Sequence, residues 1–193
     1  MIIGITGGTG CGKTTALRAV EALGGQVLDC DAIYHRLLRE DKALVAAIED
    51  RFPGVTEKGV LNRKKLGAIV FADEKALQDL NRITHASVKA EVLRILAEKP
   101  QLAAIDAIGL FEGGLAELCD VTVAVTAPEK DRIARLMQRD GITEEYARNR
   151  IRAQHDETWF REKCDYVLEN DGTFDAFRAK CLAFLRHVCI MDT

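Results

Sequence analysis

Gly7 to Thr14 reads GGTGCGKT, a G-x-x-x-x-G-K-T string between an apolar run, Met1 to Thr6, and a helix-like segment beginning at Lys13. Glycines at such a turn let successive backbone N–H groups curl around phosphate oxygens, and the following helix adds a positive end. Lys13 is placed to reach the β- and γ-phosphates of a nucleotide, and the Thr14 hydroxyl to ligate Mg²⁺. A strand before and a helix after are the context this phosphate-loop motif requires. Cys11, inside the loop, reads as a small filler; the other reading is a thiol that Lys13 would activate as an oxidant sensor.

Acids come next. The run Val27-Leu28 ends in Asp29 and Asp31, and a buried carboxylate without a partner is costly. Open α/β sheets bind ligands at the C-terminal ends of their strands. Asp31 is therefore expected to end the second strand, to cap a helix starting at Ala32, and to accept a proton from an alcohol beside the phosphate loop. Asp29 is left as a structural or supporting group. Asp106, in AAIDAIGLFE, resembles the acid that holds Mg²⁺ in phosphate-loop proteins. Glu112 is a substrate contact or a turn cap.

Arg132, Arg135 and Arg139 recur at helical spacing, and Arg148, Arg150, Arg152 and Arg161 follow. Glu129 to Lys163 carries eight acids against nine bases, which argues against a nucleic-acid patch. Most of these arginines are expected on a solvated, salt-bridging face. Arg139, just before the Gly141 turn, is the favoured group to close over the phosphates and exclude water.

Five apolar segments must carry these groups as strands: Met1 to Thr6, Gln26 to Asp29, Leu102 to Ile108, Val121 to Thr126 and Tyr166 to Glu169. Continuous rather than alternating apolarity marks strands covered on both faces, so the chain is expected to be an α/β protein with a parallel sheet. Lys13 to Leu23 reads as a helix stopped by Gly24-Gly25. Ala32 to Leu38, Lys42 to Arg51, Lys64 to Phe71, Glu74 to Ile83 and Ser87 to Glu98 form a helical insertion. Glu129 to Arg139 and Thr143 to Thr158 form a helical hairpin, and Phe174 to Cys189 the last helix. The 193 residues thus divide into a core (1–31, 101–127, 164–193), a substrate-side insertion (32–100) and a lid (128–163) of one domain.

The bulk properties narrow the class. Net charge is −3, with 48% hydrophobic and 30% charged residues, ordinary for a globular protein and no invitation to nucleic acid or membrane. MIIGITGG lacks the features of a signal peptide, and a cytoplasmic location is expected. The six cysteines form no C-x-x-C pair and read as reduced, mostly core residues. No N-K-x-D string of guanine-specific switches occurs.

Taken in order, GITGGTGCGKTT, VLDCDAI, GVLNRKKLGAIVF with LNRITHASV, IDAIGLFEGGL, RLMQRDGIT with RIRAQ, and CDYVLEND make the chain similar, nearly end to end, to the dephospho-coenzyme A kinases. These are phosphate-loop enzymes of the nucleoside-monophosphate-kinase group. The resemblance implies transfer of the ATP γ-phosphoryl group, with Mg²⁺, to the ribose 3′-hydroxyl of dephospho-coenzyme A. It implies Asp31, Lys13 and Arg139 as catalytic groups. Gly7, Gly10, Cys11, Gly12, Lys13, Thr14, Thr15, Arg139 and Asn170 would face ATP, with Thr14 and Asp106 toward the metal. Thr6, Asp31, Arg63, His85, Leu110 and Glu112 would face the acceptor, although His85 reads equally as a surface or core histidine. The family pattern has His-Pro where this chain has His85-Ala86, and a proline and a leucine in place of Ile108 and Gly109. A monomer or weak homo-oligomer is expected. A kinase for another small acceptor, such as a nucleoside monophosphate, and a nucleotide-dependent regulatory switch are the alternatives.

Overall fold

Strands buried on both faces need helices above and below them, and the computed structural model, which describes residues 1–191, has that arrangement. The chain separates into two compact units, Asp29–Lys99 and the remainder.

The larger unit holds β1 (Ile2–Thr6), α1 (Lys13–Ala22), β2 (Gln26–Asp29, whose last residue opens the other unit), the later strands and further helices. Those later strands are β5 (Ala103–Asp106), β6 (Val121–Thr126) and β7 (Tyr166–Glu169), which follow two short strands of the smaller unit. The sheet is five-stranded, in the order β2-β5-β1-β6-β7. β1 lies parallel to both neighbours, Ile3 opposite Ala104 on one side and Val121 on the other. Ile3, Ala104, Ile105, Val123 and Val125 are fully buried, which is why these segments read as unbroken apolar runs.

Helix α1 packs with α9 (Phe174–Met191) over one face, joining Val20 and Leu17 to Phe177, Cys181 and Leu185. As Gly24-Gly25 suggested, α1 closes in a Schellman turn, Gly25 N–H to Val20 O at 3.0 Å and Gly24 N–H to Glu21 O at 2.9 Å. Helices α6 (Glu129–Asp140) and α7 (Glu144–Arg152) pair through Ile133, Leu136, Ala147 and Ile151. Thr143 caps α7 as expected, accepting from Tyr146 N–H. The single helix expected over 143–158 is instead two, with α8 at Glu157–Lys163. Asp156 accepts from Trp159 N–H at 2.8 Å and starts the second, so a side-chain cap breaks the run without glycine or proline.

The smaller unit contains α2 (Cys30–Glu40), α3 (Lys42–Arg51), a hairpin of β3 (Thr56–Glu57) and β4 (Val60–Leu61), α4 (Arg63–Val70) and α5 (Glu74–Leu96). The cap of α2 is Asp29, whose carboxylate accepts from Ala32 N–H at 2.9 Å. Asp31 thus neither ends the strand nor caps the helix, correcting the expectation above; it lies exposed in the first turn of α2. The hairpin, unforeseen in the sequence, turns on Lys58 and Gly59, both at positive φ. Helix α5 is continuous where two helices were expected: the buried Thr84 returns its hydroxyl to Leu80 O at 2.9 Å and so does not interrupt the ladder. Among the described residues no helix is long and apolar enough to cross a membrane.

Candidate active site

After Thr6 the chain enters the glycine loop, with Gly7, Gly10 and Gly12 at φ of 136°, 79° and 99°. Two of these positions meet the tightest obstruction. A Cβ on Gly7 would stand 2.2 Å from the Val125 carbonyl oxygen, and one on Gly12 2.3 Å from the Asn170 amide nitrogen.

Side chains from distant segments hold the loop's carbonyls. Arg132 Nε donates to Thr9 O at 2.9 Å, Arg135 to Gly10 O at 3.1 Å, and Asn170 Nδ2 to Cys11 O at 2.8 Å. In a planar trans peptide the N–H points opposite its carbonyl. Fixing three successive carbonyls therefore turns the N–H groups of Gly10, Cys11 and Gly12 to the other side. Cys11 N–H bonds weakly to Gly8 O at 3.3 Å. A concave run of amides is what an anion-binding nest consists of. Thr9 N–H is already engaged, by Gln154 Oε1 at 2.7 Å.

Lys13 folds back and donates to Gly7 O at 2.8 Å. Thr14 is exposed in the first turn of α1, and Thr15 N–H bonds Gly12 O at 3.0 Å. The Cys11 thiol is 2% exposed, and burial raises its pKa against the opposing pull of Arg132 and Lys13. That favours the filler reading over the oxidant sensor.

Other expected residues spread around this loop. Thr6 is fully buried and donates its hydroxyl to Ile108 O at 3.2 Å. Asp106 ends β5 half-buried, level with Ile5 of β1. Glu112 is exposed, its Oε1 2.8 Å from His155 Nε2, and the His155 ring stacks on Trp159 with centroids 3.8 Å apart. Both line a cavity of about 340 Å³ with Gly109, Arg152, Gln154 and Phe160. Leu110 corrects its expectation. It is fully buried, and a Cβ on Gly4 would meet its Cδ2 at 2.8 Å, so its side chain fills the core rather than touching substrate.

Arg139, Arg148, Arg150 and Arg161 form surface ion pairs, as expected of most of these arginines, and two others stand apart. Arg132 is 9% exposed and Arg135 half-buried, both on the loop, rather than on a solvated face. Arg139 is the exposed one, paired at 2.7 Å with Asp140, which Arg150 also holds at 2.7 Å. These two guanidinium groups, Arg139 first, draw the Asp140 carboxyl down to about 2. The sequence signal for Arg132 was its place four residues before Leu136 on an apolar stripe. Gln154 stood in RIRAQ without an assigned role. Asn170 is buried under the loop, its own N–H on Thr126 O at 2.8 Å.

In the smaller unit, Arg63 is exposed at the start of α4 and lines a cavity of about 370 Å³ with His35, Leu38, Arg39, Val45 and Leu61. His85 is half-buried in α5. Glu91 accepts from Arg94 and Arg36, which together hold its carboxyl at about 2.

Known proteins match this arrangement along its length. The family model described as dephospho-CoA kinase covers residues 1–176. The dephospho-CoA kinase of Salinibacter ruber is 38% identical over 184 residues, 92% of each chain. That of Geobacillus kaustophilus is 35% identical over 96% of each. A crystal structure from Thermus thermophilus superposes with a TM-score of 0.80 at 33% identity, covering 97% of both chains. Dephospho-CoA kinase from Campylobacter jejuni follows at 0.70 and 26%, covering 100% of this chain and 98% of the other. Shikimate kinase of Acinetobacter baumannii, at 0.55 and 18%, shares the fold. The sheet order, the braced phosphate loop and these end-to-end matches place the chain in the dephospho-CoA kinase family.

Proposed function

We propose that this chain transfers the γ-phosphoryl group of ATP to the ribose 3′-hydroxyl of dephospho-coenzyme A, giving coenzyme A and ADP, the last step of coenzyme A synthesis. The observation that carries this reading is a glycine loop whose carbonyls are pinned outward, in a chain whose family match spans residues 1–176.

In the forward reaction the 3′-oxygen forms a bond to the γ-phosphorus while the bond from that phosphorus to the β,γ-bridging oxygen breaks. The hydroxyl proton passes to Asp31, two residues beyond the end of β2. The loop N–H groups hold the phosphates, and Lys13 leaves its own loop carbonyl to follow the charge that moves onto the leaving group. Arg139 exchanges Asp140 for phosphate as the helical hairpin closes and excludes water. Thr14 and Asp106 offer oxygen donors only, one exposed on the loop helix and one at the end of the strand beside β1, a set that suits Mg²⁺. When bound, Mg²⁺ supplies charge neutralisation at the phosphates. Arg63, His85 and Glu112 are assigned to the acceptor side and Asn170 to the nucleotide side, while the buried Thr6, like Leu110, stays in the core. The protein is taken to work in the cytoplasm as a monomer or weak homo-oligomer.

A coupled ADP-release assay tests the reading. Turnover should require dephospho-coenzyme A and should fall about 10²–10⁴-fold in Asp31→Asn, the usual contribution of a positioned base. Slow hydrolysis indifferent to any acceptor, or stronger turnover with a nucleoside monophosphate, would overturn it.

A further inference from the structure

Arg132 carries a buried guanidinium with an unfinished set of hydrogen bonds. The residue is 9% exposed, its Nε is spent on Thr9 O at 2.9 Å, and its Nη2 has no hydrogen-bond partner among the described residues. Nη2 lies against the loop itself, 2.3 Å from where a Cβ on Gly8 would be, so only glycine at that position leaves it room. Among the described residues no carboxylate pairs with this group. A desolvated charge without a counter-charge is costly, and a neutral amide would brace Thr9 O equally well.

We propose that the counter-charge of Arg132 is the phosphate chain of the bound nucleotide. Arg132 then is a positioning and charge-recognition residue. It braces the loop through Nε and, through its fixed charge, favours polyphosphate over the uncharged nucleoside. The proposal rests on the kinase reading above and extends it to a residue placed behind the loop rather than on the lid's moving surface.

Two variants separate charge from bracing. Arg132→Gln keeps a donor for Thr9 O and removes the charge, while Arg132→Lys keeps the charge. Calorimetry with ATP, ADP and adenosine, and thermal unfolding with and without ATP, provide the readouts. Arg132→Gln should bind ATP about 10- to 100-fold more weakly, the scale of a through-space attraction between opposite charges several ångströms apart at a partly buried site. Its adenosine affinity should be unchanged, its apo melting temperature no lower than wild type, and its ATP-induced rise smaller. Equal weakening of ATP and adenosine, or unaltered ATP affinity, would overturn the proposal. Should the Gln variant not fold, Arg132→Lys decides: preservation of the ATP-to-adenosine affinity ratio supports the charge, and collapse of that ratio refutes it. Failure of the wild type to bind ATP would instead refute the kinase reading, so the two failures are distinct.

Discussion

Gly12→Ala exposes how tightly the phosphate loop depends on Asn170. The added methyl would sit at φ 99°, 2.3 Å from Asn170 Nδ2, the atom that donates to Cys11 O at 2.8 Å. Backbone strain of this kind costs about 1–3 kcal/mol. Displacing the amide forfeits a buried hydrogen bond and leaves the Cys11 carbonyl unmet, a further ~1–3 kcal/mol. Gly12→Ala should therefore lose roughly 2–6 kcal/mol, and Asn170→Ala alone roughly 1–3 kcal/mol. Because the methyl removes the same bond that Asn170→Ala deletes, the double variant counts that loss once. It should be more stable than the sum of the singles by ~1–3 kcal/mol. Urea unfolding of the four proteins measures this cycle. Additivity within about 0.5 kcal/mol would refute the idea that one hydrogen bond is the shared casualty.

Gly7→Ala meets a backbone oxygen, Val125 O at 2.2 Å, which cannot rotate away, so it should destabilise more than Gly12→Ala does in the Asn170→Ala background; urea midpoints compare them directly. The Glu91 carboxyl is depressed from 4.5 to about 2, first by Arg94 and then by Arg36, so its contribution is complete above pH 4.5 and lost as pH falls toward 2. Glu91→Gln should flatten the fall in unfolding free energy between pH 5 and pH 3, and an unchanged slope would contradict that pairing. Cys11 should alkylate at pH 8 at least ~10-fold more slowly than free cysteine, as followed by mass spectrometry of its peptide.

The sheet was readable because burial on both faces leaves an unmistakable mark: Ile3, Ala104 and Val123 sit in runs with no polar alternation. The loop motif was readable for a different reason, since its glycines are demanded by backbone contacts such as Val125 O. What escaped were decisions made by single side chains. Thr84 sits within α5 with its hydroxyl bonded to its own helix, whereas Asp156 split α7 from α8 by capping the second. Asp29 took the cap expected of Asp31, because the helix begins earlier, at Cys30. Leu110 was misplaced, and Arg132 was not singled out, because tertiary packing decides whether a leucine or an arginine faces solvent. Charge alone marked most of these arginines as solvated, but the loop carbonyls had drawn Arg132 inward.

The bonds that brace the loop also set a timetable for the newborn chain. Their donors and acceptors lie 123, 145 and 159 residues further along, at Arg132, Gln154 and Asn170. At ~5–20 residues per second of synthesis, the loop is made roughly 8–30 s before Asn170 exists to hold it. Closing such long-range contacts is slow in its own right. Nucleotide affinity should thus be acquired late, only once the chain has been made and folded through β7.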